Sequence, residues 1–101
     1  VIVEHAELTV EAGREREFAE VFGKAREVLA EADGFRWAEL LQGVERPGVF
    51  LLLVGWDSVE AHMVGFRESE PFARWRALVG PFFAESPAVE HFHELGARFS
   101  G

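Results

Sequence analysis

The residues best suited to chemistry lie between Trp56 and Arg76. His62 is a side chain whose charge can change near neutral pH, and it flanks the apolar side of a short helical stretch beside Met63 and Phe66. Arg67 and Arg76 follow in sequence, with Trp56, Phe66 and Trp75 between and around them. An imidazole can take a proton as a general base, and fixed guanidinium groups can hold the oxygen anion that results. Trp56, Phe66 and Trp75 would then supply an apolar wall for a small hydrophobic ligand. The plainer alternative is that the rings are core and that Arg67 and Arg76 pair with Glu68, Glu70 or Glu85 at the surface.

A second set of candidates is His5, His91 and His93. His91 and His93 alternate along a final strand and share a face, while His5 lies on the first strand, which the topology below places beside the last. Three imidazoles converging across two strands, with Glu7 as a carboxylate partner, would suit Zn²⁺ or Fe²⁺. The alternative is that they are surface or interface residues satisfied by water, Glu90 or Glu94. Cysteine is absent, which removes thiolate ligands, disulfides and cysteine nucleophiles together. No glycine-rich phosphate loop, Ser–His–Asp order or dinucleotide fingerprint occurs, so no residue implies a cofactor.

The elements that must position these groups follow from periodicity. Residues 1–10 read as a strand, with Ile2, Ala6, Leu8 and Val10 on one face and His5, Glu7 and Thr9 on the other. From Arg14 to about Ala32, Phe18, Val21, Phe22, Ala25, Val28 and Leu29 fall at helical steps, and Arg16, Glu20 and Lys24 mark the wet side. Asp33-Gly34 ends that helix and opens a strand over 35–42, with Phe35, Trp37, Glu39 and Leu41 expected on one face. Val49–Trp56 is apolar on both faces, as a central strand would be. Asp57 with Glu60 reads as a capping box, and Val59, Met63 and Phe66 as the buried side of the helical piece that follows. Ser69-Glu70-Pro71 restarts a helix, Gly80-Pro81 stops it, a last strand runs from Ala88 to Leu95, and residues 96–101 read as a loose tail.

Strand, helix, strand, strand, helix, strand is the split βαβ, ferredoxin-like α+β arrangement: a four-stranded antiparallel sheet with helices on one face, here as one domain over 1–101. The other sheet face would be bare, with Phe35, Trp37 and Leu41, or Val89 and Leu95, exposed. Thirteen aromatic residues are too many for so small a chain to hide alone, so a homodimer through the open sheet face is expected. A net charge of −8 argues against a nucleic-acid partner. No apolar run is long enough to span a membrane, and a cytoplasmic protein is expected.

Over nearly its whole length the chain resembles the antibiotic biosynthesis monooxygenase (ABM) domain of the dimeric α+β barrel superfamily. The resemblance rests on Glu4-His5-Ala6-Glu7-Leu8-Thr9-Val10 with Gly13, on Gly34-Phe35, on Leu52-Leu53-Val54-Gly55-Trp56, on Ser69-Glu70-Pro71-Phe72, and on Pro87-Ala88-Val89-Glu90-His91-Phe92. The resemblance implies a pocket between the second helical region and the sheet, and cofactor-independent oxygenation of a small aromatic or quinol substrate. In it His62 would act as base and Arg67 and Arg76 would hold an enolate or phenolate oxygen. Haem-degrading members carry an Asn on strand one, a Trp on the second helix and a His ligand beyond it. The aligned places here hold Ala6 (or its neighbour His5), Gly65 and Trp75, and none matches. Two alternatives stand beside the oxygenase: a non-catalytic ligand-binding module of the same fold, and a metal-dependent enzyme built on the three histidines.

Overall fold

The computed structural model describes residues 1–96. Its elements are β1 (Ile2–Thr9), α1 (Glu15–Leu29), β2 (Phe35–Gln42), β3 (Val49–Trp56), a π-helical turn (Ala61–Phe66), α2 (Glu70–Val79), a 3₁₀ turn (Gly80–Phe82) and β4 (Ala88–His93). The four strands form one antiparallel sheet in the order β2-β3-β1-β4. This is the ferredoxin-like βαββαβ fold, with β3 and β1 in the middle as the doubly apolar β3 sequence requires.

The core lies between the sheet and the two helices. Alternation sends Ala6 and Leu8 of β1 and Phe50, Leu52, Val54 and Trp56 of β3 inward, where they meet Phe18, Phe22, Ala25 and Leu29 of α1 and Val79 of α2. Phe18 sits at the centre, edge-on to Phe50 with ring centroids 4.9 Å apart and to Phe82 at 5.7 Å. The helices are also joined at the surface, where Arg74 of α2 grips both carboxylate oxygens of Glu31 just beyond α1. Arg14, before α1, donates to the carbonyl of Pro81 and lays its guanidinium over the Phe82 ring, 4.1 Å from the centroid.

Four local expectations are corrected. A bulge between Phe35 and Trp37 reverses the strand's facing, so Phe35 packs edge-on to Trp56 inside while Trp37, Glu39 and Leu41 face outward. Val89 also points inward, opposite Ala6, leaving Phe92 as the outward aromatic of β4; Leu95 lies beyond the strand and is exposed. Ser58, not Asp57, caps the turn after β3: its hydroxyl accepts from the Ala61 amide at 3.0 Å, while Asp57 pairs with Arg36. Finally, Val59 and Met63 are exposed and His62 is buried with Phe66. The cause is the π-helical turn, in which the Arg67 amide bonds back five residues to the His62 carbonyl at 3.1 Å. One extra residue in the turn rotates the inward face away from the positions that a 3.6-residue period predicts. Of the expected tail, residues 97–101 lie outside the described residues.

Candidate functional site

Glu4 departs from the apolar pattern of the inner sheet face. It occupies an inward position of β1 between Ile2 and Ala6, and only 6% of its surface is exposed. A carboxylate there needs donors, and three elements converge on it. From β3, the Trp56 indole N–H donates to Glu4 Oε1 at 3.0 Å. From the π-helical turn, His62 Nε2 lies 3.3 Å from the same oxygen. From β4, His91 stands directly across the ladder from Glu4, and its Nε2 is 2.9 Å from His62 Nδ1. The Trp56 and His62 rings stack with centroids 5.1 Å apart, which fixes the imidazole plane.

Electrostatics follow burial. Desolvation is the largest influence on Glu4 and raises its pKa above the usual carboxylate value, opposed by the Trp56 hydrogen bond and by the charge of Arg67. The same desolvation, helped by the positive charge of Arg67 and by His91, pushes His62 down to about 4. His91 is also lowered, first by burial and then by Arg67. At neutral pH the contact between Glu4 and His62 is therefore one between a carboxyl group and a neutral imidazole, not an ion pair.

A cavity of about 470 Å³ opens beside this cluster, between the inner face of β1 and β4 and the α2 side. Glu4, Ala6, Leu8 and Val89 form its sheet wall; Arg67, Phe72, Trp75 and Arg76 form the helical wall, and Phe83 with Glu85, Ser86 and Pro87 the rim. Glu4 Oε2 makes no hydrogen bond among the described residues. Neither Arg67 nor Arg76 has a carboxylate within 4.0 Å among the described residues, so the surface pairings with Glu68, Glu70 or Glu85 do not form. Glu85 instead accepts from Thr9 Oγ1 at 3.0 Å. The buried Trp75 indole nitrogen has no hydrogen-bond partner among the described residues.

Of the six residues expected around a pocket, Arg67, Arg76 and Trp75 line this open space. Trp56, His62 and Phe66 do not line it. Rings fill the volume among them, Trp56 to Phe66 at 5.5 Å and Phe66 to Trp75 at 6.2 Å between centroids. His62, 4% exposed, lies behind Glu4 with both nitrogens turned to protein groups. The proposed histidine trio does not converge either. His5 pairs with Glu90 and packs edge-on to Phe92, so it faces outward, opposite to His91 and His93. Among the described residues no group of three or more His, Cys, Asp or Glu side chains is arranged to hold a metal ion. Glu4 is the residue that sequence reasoning passed over. Its signal was an acid at an inward position of an alternating strand.

An inner cavity lined by the buried Glu4 carboxylate and by the Arg67 and Arg76 guanidinium groups thus lies against the sheet of a small ferredoxin-like α+β domain. The profile of the family described as Antibiotic biosynthesis monooxygenase matches residues 1–78, and the chain belongs to that family. A Bacillus subtilis (strain 168) relative, the uncharacterized protein YczJ, is 34% identical over 95 residues, covering 94% of this chain and 100% of that one. A crystal structure from Bordetella bronchiseptica, grouped with the antibiotic biosynthesis monooxygenases, is 39% identical with a TM-score of 0.90, covering 93% of this chain and 96% of its own. SnoaB from Streptomyces nogalater, described as a cofactor-independent oxygenase, shares the fold at 17% identity and a TM-score of 0.77, covering 95% of this chain and 94% of its own. No helix among the described residues is long and apolar enough to cross a membrane.

Proposed function

We propose that the protein is a cofactor-independent monooxygenase of a small hydrophobic aromatic or quinol substrate, with Glu4 as the base. The observation that carries this reading is the buried Glu4 carboxylate lining a cavity that Arg67 and Arg76 also line. SnoaB, on the same fold, lends the reaction class as a precedent. The substrate is an electron-rich ring that presents an acidic CH₂, the keto form of a phenol. Glu4 Oε2 takes one proton from that carbon, and the enolate oxygen lies against Arg67 and Arg76. The carbanion transfers electrons to O₂ and forms a C–O bond; the peroxide takes the proton back from Glu4. Loss of water from the hydroperoxide leaves a carbonyl. One oxygen atom stays in the product and the other leaves as water, so the carbon loses four electrons and O₂ gains four. Phe72, Trp75, Leu8 and Val89 keep water from the intermediate.

The expected base, His62, is replaced in this scheme by Glu4, because it is Glu4 that meets the cavity. The test is O₂ uptake with a panel of quinols and keto-phenols, with ¹⁸O₂ to trace the retained atom. Glu4→Gln is expected to lower turnover by about 10²–10⁴-fold. Uptake that is unchanged in Glu4→Gln would overturn the base assignment. Ligand binding with no uptake above the uncatalysed rate would make the site a small-molecule receptor instead.

We propose further that a second copy covers the outer sheet face. Trp37 (37% exposed), Leu41 (42%) and Phe92 (50%) stand there among Val3, Leu51 and Leu53, and these side chains have no cover among the described residues. A face-to-face sheet pair is the arrangement that buries it.

A further inference from the structure

Arg67 and Arg76 line the helical wall of the cavity, and no carboxylate stands within 4.0 Å of either among the described residues. Acids are not scarce. The sequence has 18 Asp and Glu against 10 Lys and Arg, and Arg14, Arg36, Arg46 and Arg74 each pair with at least one of them. Arg16 and Arg26 also lack such a partner among the described residues, but they stand exposed on α1 and do not line the cavity. Oxygenation does not use both cavity charges. One negative charge passes from Glu4 to the enolate, to the peroxide and back, while two guanidinium groups face it throughout. Each presents about five N–H donors, more between them than one oxygen atom can accept. Glu85, the other acid of the wall, is exposed at the rim and accepts from Thr9 Oγ1 at 3.0 Å. One positive charge inside the rim is thus left without a counter-charge.

The two arginines are not equivalent. The charge of Arg67 is felt at Glu4, so Arg67 serves the carboxylate end of the cavity. Arg76 stands at the way out. Together with Phe72 and Gly80 it also borders a shallow groove on the exposed side of α2, whose remaining walls are Ala73, Ala77 and Pro81. Its stem passes by Gly80, where an added Cβ would stand 3.6 Å from Arg76 Cγ. We propose that the substrate is an organic anion: besides its reacting ring it carries one carboxylate, which Arg76 receives at the mouth of the cavity, so that Arg76 selects acidic over neutral ring compounds. The proposal rests on the reading of this cavity as the substrate site of the oxygenase. A cavity of about 470 Å³ is in the range that encloses a whole small ligand, so ring and acid group can belong to one molecule. A carboxylate accepts two parallel N–H bonds from a guanidinium fork, where a neutral amide offers a single acceptor atom. A doubly charged phosphate fits less well, because the cavity has one charge to neutralise and a chain of net charge −8 repels a second.

The test measures binding by the full chain with oxygen removed. The probes are naphthoate, naphthylacetate and naphthylpropionate, each beside its primary amide, with affinities taken from calorimetry. At least one acid is expected to bind tighter than its amide by about fivefold or more. Arg76→Gln is expected to bring that acid to the level of its amide and to leave the amide within about twofold of its wild-type affinity. Arg76 holds no carboxylate among the described residues, so the variant is expected to melt as the wild type does. Should it not fold, Arg76→Lys takes its place; it keeps the charge, loses the fork and is expected to weaken the acid alone. Arg16→Gln, on α1, is expected to keep the preference. Equal affinities within all three pairs would overturn the proposal, as would a preference that survives Arg76→Gln or vanishes in Arg16→Gln. Selective acid binding without oxygen uptake would support the anion site and remove the oxygenase reading. Turnover of neutral quinols that is unchanged in Arg76→Gln would do the reverse.

Discussion

Glu4 and Trp56 are diagonal neighbours on the two central strands, joined on the inner face by an indole-to-carboxylate hydrogen bond of 3.0 Å, with the indole fully buried. Trp56→Phe keeps the ring packing and removes the donor. A buried carboxylate that loses a donor costs about 1–3 kcal/mol, so the variant is expected to be less stable by that amount at neutral pH. The loss is expected to shrink in acid, where Glu4 is protonated and needs no donor. Urea denaturation at pH 7 and pH 4 compares the two; an equal loss at both would mean that packing alone is responsible.

Stability should depend on pH through His62. Its folded value of about 4 lies below the ordinary 6.5, so between these limits the unfolded chain binds a proton that the folded chain refuses. This contribution is complete above pH 6.5 and is lost as pH falls toward 4, by up to about 3 kcal/mol. Glu4 acts with the opposite sign. Its raised pKa means that stability declines as pH rises from 4.5 to the folded value. The two slopes oppose each other, and His62→Gln is expected to flatten the acid loss by removing the first. Denaturation midpoints at several pH values between 4 and 7 give the slope directly, and a variant slope as steep as wild type would exclude His62 as its source.

Gly34 holds the β2 entry against the start of the π-helical turn. Its φ is +83°, its carbonyl accepts from the Asp57 amide at 2.8 Å, and a Cβ there would stand 2.8 Å from Ala61 Cβ. Gly34→Ala therefore meets both a strained backbone and a side chain with no room to retreat. A loss of about 1–3 kcal/mol is expected by thermal melting. Because Ala61 adjoins His62, near-ultraviolet circular dichroism of the stacked Trp56 should change as well.

The outer face makes a prediction of its own. Trp37 lies across Gly55 of β3, its partner in the ladder, so closely that any Cβ at Gly55 would fall within the indole. The Trp37→Glu, Leu41→Glu double variant is expected to sediment as a monomer and the unaltered chain as a dimer. A monomeric wild type at micromolar concentration would remove the proposal that a second copy covers this face.

The topology was legible because it rests on repeated signals. The apolar stripe from Phe18 to Leu29 and the doubly apolar run Val49–Trp56 each repeat one message over several residues. The errors fall where a single residue changes the phase. The bulge at Arg36 moves Phe35 to the inside, and the extra residue of the π-helical turn exchanges Met63 for His62. Neither offset alters composition or period enough to be seen in the sequence. The same holds for His5: its strand does adjoin β4, but facing is settled by whether the register offset is odd or even. At the site, the resemblance pointed to the region of Arg67, Arg76 and Trp75, which line the cavity. The partnership of Glu4 with His62 and His91 joins residues 58 and 87 positions apart, and only folding brings it about.

The strand that bears His91 is also the one least held. β4 is six residues long against eight for each of the others, and among the described residues β1 is the one strand bonded to it. In any partial opening of the domain it is the first strand to peel away, taking with it Val89 of the cavity wall and the hydrogen-bond partner of His62. The cavity wall and the imidazole contact behind Glu4 are therefore released by one event. A small rupture at the margin of the sheet would open the cavity long before the interior unfolds.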